Sequence, residues 1–163
     1  MESLFEELKN VLETEKSILE QLLDTAREHN RALRQLNAGV LHATAQKENE
    51  LVAALRGHDR KREDICGALA ERISLSKNAV LSDFIGQAPL PVKKDFGNLL
   101  NDMGRITREL SGINETNGLL TRQAMRVNEM LLRACGPPAN RVYTPDGRMR
   151  EDKQQLVTIN KEV

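Results

Sequence analysis

Apolar residues return every three or four positions from Leu4 to Val80, and again from Phe96 to Ala134. The first run begins Leu4, Leu8, Val11, Ile18, Leu22, Ala26 and continues through Leu51, Ile65, Leu69 and Ile73. The second reads Phe96, Leu99, Met103, Ile106, Leu110, Ile113, Leu120, Ala124, Val127, Leu131, Ala134. Such steps line up side chains on one stripe of an α-helix, and a sustained mean near about 3.5 is the spacing of helices packed against helices. A chain built from such stripes works by offering helical surface to another helix, and is seldom built around a catalytic pocket.

Local signals divide the pattern. Ser3 followed by Glu6 reads as a capping box, which opens a first helix over about 3–36. Asn37-Ala38-Gly39 is a weak break of poor helix formers. The repeat stays in phase across it, which favours continuity, so whether helices 1 and 2 join through Gly39 stays open. A second helix covers about 40–84. Gly86-Gln87-Ala88-Pro89-Leu90-Pro91 stops it, and Pro91 suits the first turn of a third helix over about 92–134. Gly136-Pro137-Pro138 ends that helix. Residues 137–163 lose the periodicity and carry Pro145-Asp146-Gly147, which predicts a mobile tail with nascent structure only near Leu156-Val157-Thr158-Ile159. The expected fold is all-α: an elongated antiparallel coiled-coil or bundle of three long helices (residues 1–136) with a flexible C-terminal tail.

Polar residues interrupt the stripes at Glu15, His29, Lys47, His58 and Asn117. Buried polar residues can fix register at a cost in stability. For Glu15 and Lys47 the expectation is instead a seam-edge position from which the side chain reaches solvent.

The core must be thin, since the aromatics are three Phe and one Tyr, with no Trp. Twenty-four basic and 24 acidic residues give zero formal charge, so nothing attracts the whole chain to nucleic acid or an acidic membrane. The cluster Arg56, Arg60, Lys61, Arg62 is diluted by Asp59, Glu63 and Asp64, has no interleaved aromatic, and reads as a solvated helix face. Cys66 and Cys135 match no metal spacing and read as two reduced thiols. The acidic start lacks a signal peptide's features, and no apolar run approaches the roughly 20 residues of a membrane span. A cytoplasmic protein is expected. No phosphate loop, His-Glu-x-x-His, Gly-x-Ser-x-Gly or inward Glu-x-x-His pair is present, and the three histidines are isolated, so no enzyme, metal or cofactor is expected.

Three stretches resemble the FlgN family of flagellar type III export chaperones. Gly39-Val40-Leu41 leading to Lys47-Glu48-Asn49-Glu50-Leu51, Leu55 and Arg62 is similar to the family's leucine-rich segment with a lysine and a later arginine. Val40 stands where an acidic residue is often found. Asn114-Glu115-Thr116-Asn117-Gly118-Leu119-Leu120 resembles its Asn-x-x-Asn-Gly-x-Leu-Leu segment, and Tyr143-Thr144-Pro145-Asp146-Gly147 the Tyr-x-x-x-Gly that opens its tail. The resemblance covers essentially the whole chain. It implies a cytosolic chaperone that binds the hook–filament junction proteins FlgK and FlgL and delivers them to the export gate protein FlhA.

The stripe supplies a mechanism for that role. Segments that pack only after assembly expose apolar faces beforehand, and a chaperone's own stripe can pair with one of them. The client surface is expected on Val127, Met130, Leu131 and Ala134, with Leu156, Val157 and Ile159 of the tail; the other reading of the four helix-3 residues is intramolecular core. Met125 and Met130 suit an adaptable contact. Tyr143 lies outside every repeat; the resemblance to the family's tail implies that it anchors the chain to the export gate, and the other reading is that it folds back onto helix 3 and caps the end of its stripe. The alternatives are a coiled-coil adaptor that homodimerises through the same stripes and, more remotely, a helical-bundle enzyme.

Overall fold

The computed structural model describes residues 2–76, 79–135, 141–143 and 149–151. The chain forms two compact units, residues 1–122 and 123–163. Among the described residues there are four α-helices: α1 (Glu2–Gln35), α2 (Ala38–Ile73), α3 (Leu81–Gly86) and α4 (Leu90–Cys135). Three are long, as the repeat predicts, and the short α3 is additional.

Helix α1 starts at Glu2, so Ser3 lies inside its first turn, and its hydroxyl donates to Glu7 Oε1 at 3.4 Å. The expected capping box is not formed. The break at residues 36–37 is complete. Leu36 takes the left-handed conformation (φ 53°). The Asn37 amide donates to Ala32 O at 3.0 Å, and Leu36 N to Leu33 O at 3.4 Å. These two bonds make a Schellman motif, with leucine where glycine is usual. Asn37 also caps α2, because its Oδ1 accepts from the Val40 amide at 3.2 Å. Two residues thus turn the chain through a tight αα-hairpin, and the in-phase repeat did not mean continuity.

Helix α2 stops at Ile73, about ten residues before the expected 84. Ser74 is left-handed (φ 54°), and Leu75 N donates to Ala70 O at 3.1 Å. Ser74 and Ser76 compete for backbone hydrogen bonds and disfavour helix interior. Helix α3 then restarts, with Asp83 Oδ2 accepting from the Val80 amide at 2.9 Å. Pro91 falls in the first turn of α4, as expected.

Within residues 1–122 the long helices run up, down and up. As α1 goes from His29 back to Glu15, its partners on α2 advance from Thr44 to Arg62, so these two are antiparallel. Helix α4 runs parallel to α1: Lys9 meets Asp95 and Lys16 meets Asp102, each at 2.7 Å and each one heptad apart. Helix α1 therefore has two neighbours and a wide apolar face, with Phe5, Leu12, Leu19 and Ala26 buried beside Leu8 and Leu22. One cluster joins Phe5, Leu8, Leu12, Leu69, Phe84 and Phe96, and so α3 closes the end of the bundle. A second joins Ile18, Leu19, Leu22, Leu23 and Ile106.

In the second unit β1 (Arg141–Tyr143) pairs antiparallel with β2 (Met149–Glu151), Tyr143 opposite Met149. Turn-favouring Pro145-Asp146-Gly147 lies between them in the chain. The sequence reading places no strand there. The expected mobility of the rest of the tail, with Leu156, Val157 and Ile159, lies outside the described residues.

Candidate functional site

The site follows from helix register and helix length. Asn30 Nδ2 donates to Asn117 Oδ1 at 2.7 Å across α1 and α4, an offset of 87 residues. Continued to the end of α1 at Gln35, that offset stands level with Arg122 of α4. Helix α4 goes on to Cys135, and α1 has no residues left to continue the ladder. The apolar stripe does not stop with its partner.

Beyond Arg122 its residues are exposed except Ala124, which is half-buried. Met130 is 68% exposed and Leu131 56%, and Val127 and Ala134 are exposed as well. Met125 and Leu132 join them, as does Leu119 one turn before. Leu119 and Leu132 were missed from the sequence because they fall off the three-four stripe. The signal was the run Met130-Leu131-Leu132, which is too broad for a single seam. Tyr143 lies in β1, in the same unit as this part of α4.

The residues of the FlgN-like stretches divide by role. Lys47 and Asn114 are exposed, as expected for Lys47. Asn117 is buried, and its Nδ2 donates to Ala26 O at 3.0 Å while its Oδ1 accepts from Asn30. Arg34 Nε donates in turn to Asn30 Oδ1 at 3.0 Å. This layer ties the last turns of α1 to α4 and fixes the register that leaves the extension unmatched. Gly118 is half-buried, and a Cβ there would approach the Arg122 guanidinium at 3.6 Å. Arg62 is no solvated cation: Nε donates to Glu15 Oε1 at 3.1 Å and Nη2 to Asp59 Oδ1 at 2.6 Å.

Glu15 is 3% exposed, contrary to the seam-edge expectation. It stands one heptad from both Leu8 and Leu22, so its position in the stripe puts it in the core. Burial pushes its carboxyl above the ordinary range, and Arg62 opposes that shift. Burial also raises the neighbouring Cys66 thiol. A second polar contact joins the helices where His29 Nδ1 lies 2.8 Å from Thr44 Oγ1, whose hydroxyl donates to Val40 O. These groups hold the scaffold in register. Among the described residues no group of three His, Cys, Asp or Glu could hold a metal ion, and no helix is long and apolar enough to cross a membrane.

The family model described as FlgN protein matches residues 1–151. Comparison with curated proteins and with solved structures returns no match.

Proposed function

This chain belongs to the FlgN family of flagellar export chaperones, and we propose that its clients are the hook–filament junction proteins FlgK and FlgL, which it delivers to the export gate protein FlhA. The work is done by binding without turnover, in the cytoplasm. The observation that carries this reading is the unmatched end of α4, where Val127, Met130, Leu131 and Ala134 leave a stripe in solvent that the rest of the helix buries. An exposed apolar stripe on a preformed helix gives an amphipathic client segment a surface to pair with while its own assembly partner is absent. Met125 and Met130 let the contact adapt to two clients, because thioether chains fill irregular gaps. Leu156, Val157 and Ile159 would extend the client surface, and Tyr143 would serve the gate.

Calorimetric titration of FlgK and FlgL C-terminal segments into the full chain tests this. Saturable binding of both is expected. A chain ending at Pro138 divides the affinity between helix and tail. No heat with either client, together with a dimer in sedimentation, would replace the chaperone reading with a self-associating adaptor.

A further inference from the structure

We propose that the groove between the C-terminal half of α2 and the α3 segment is a second docking site, one that takes an amphipathic helix with basic side chains flanking its apolar face. The groove encloses about 700 Å³. Cys66, Gly67 and Ala70 of α2 line one wall, and Val80, Leu81 and Phe84 the other. Val80 is 61% exposed, so apolar surface is left open. The α2 wall is made of small side chains, and a Cβ added at Gly67 would meet nothing within 4 Å. A helix can therefore approach this backbone closely.

The rim decides which helix. Glu63 and Glu71 line the groove from α2 and are exposed. Neither has an ion-pair partner among the described residues. Among the described lining residues the one cation, Arg62, is already engaged by Glu15 and Asp59. The uncompensated charge of those described residues is acidic, which calls for a basic partner. The two carboxylates lie eight residues apart, about 12 Å along the helix, or a little over two turns. Lysines or arginines seven or eight positions apart on a partner helix match that span. The surface uses none of the residues assigned to the client.

The probe is a labelled synthetic helix of about 18 residues, with alanine and leucine on one face and lysines seven or eight positions apart beside it. A twin carries glutamate in place of lysine. Titrated into the full chain by fluorescence anisotropy, the lysine helix should bind saturably and about tenfold more tightly than its twin. Glu63→Lys with Glu71→Lys should reverse that preference. Gly67→Trp should abolish binding by filling the groove, whereas Gly67→Ala should retain it. Equal affinity for the two peptides, no saturable binding of the lysine helix, or binding undiminished by Gly67→Trp at unchanged helicity would each overturn the proposal. If Gly67→Trp lowers helicity, the charge reversal decides alone, since both carboxylates are exposed. A dimer of the chain that Gly67→Trp dissociates would assign the groove to a second copy instead.

Discussion

Replacing both Met130 and Leu131 by Asp separates a docking surface from a core. The two side chains are more than half exposed, so the folded protein gains little from their burial. Asp costs about 0.5 kcal/mol of helix propensity at each position. That cost falls near the end of α4, beyond the residues that pack on α1. The main melting transition should move by no more than about 2–4 °C. Client binding should respond quite differently. Burying a Met or Leu is worth about 1.5–3 kcal/mol, and roughly half of each surface is still available to a client. Losing both contributions removes about 2–3 kcal/mol, and desolvating two carboxylates adds to it. The dissociation constant should rise by a factor of about 100 or more. Calorimetry with a FlgK C-terminal segment measures the binding, and circular dichroism measures the melt. Leu8→Asp is the control, because Leu8 is fully buried and an unpaired charge there should unfold the protein. A melting temperature that collapses as in Leu8→Asp would show that Met130 and Leu131 are core. An intact fold with client affinity within about threefold of wild type would remove the α4 extension from the client site.

Other outcomes follow from single residues. Leu36→Gly should stabilise the protein by about 0.5–1 kcal/mol, because glycine relieves the left-handed strain and Leu36 is 77% exposed; a higher urea midpoint at unchanged slope checks it. Arg62→Ala strands the buried Glu15 carboxylate and should cost about 2–3 kcal/mol. The sign of its pH dependence is fixed: a carboxyl raised in the folded state is held more tightly protonated there than in the unfolded chain. This group therefore adds stability as pH falls through the raised value toward the ordinary range and loses it above, so the variant should recover stability on mild acidification, and denaturation at several pH values would reveal any opposite trend. Tyr143→Ala should keep the fold and client affinity yet weaken binding of the client-loaded chaperone to FlhA; equal gate affinity for mutant and wild-type complexes would dismiss the docking role.

The helices were legible because a three-four repeat has one physical cause, and Pro91 marks the first turn of α4 by local sterics. The stop at Ile73 was less legible: no Pro or Gly stands there, and the chain turns where Leu75, Leu81 and Phe84 can reach the end of the bundle, a tertiary choice. A single a/d seam was likewise too narrow a reading of α1. Phe5, Leu12 and Leu19 form a second stripe, visible in the sequence only once two neighbours are allowed. Glu15 was misplaced for a different reason: it lies on the first stripe, between the core residues Leu8 and Leu22, and the expectation sent its carboxylate to solvent where Arg62 instead meets it in the core.

The candidate site depends on a comparison that no single segment contains. Val127 and Leu131 continue the pattern of Ile106 and Leu110 without a change in character, so periodicity alone cannot tell a satisfied stripe from an open one. What tells them apart is where the partner ends. The Asn30–Asn117 contact sets the offset, Gln35 sets the length of α1, and together they leave the last 13 residues of the 46-residue α4 without a matching stretch of α1. Shifting α1 by one heptad toward the α4 N-terminus would leave seven more residues of α4 unmatched and would carry Asn117 past the end of α1. Its two hydrogen bonds to α1 oppose that slip, since each would be lost without replacement. A polar residue that interrupts the stripe is thus what keeps the open part of the stripe where it is.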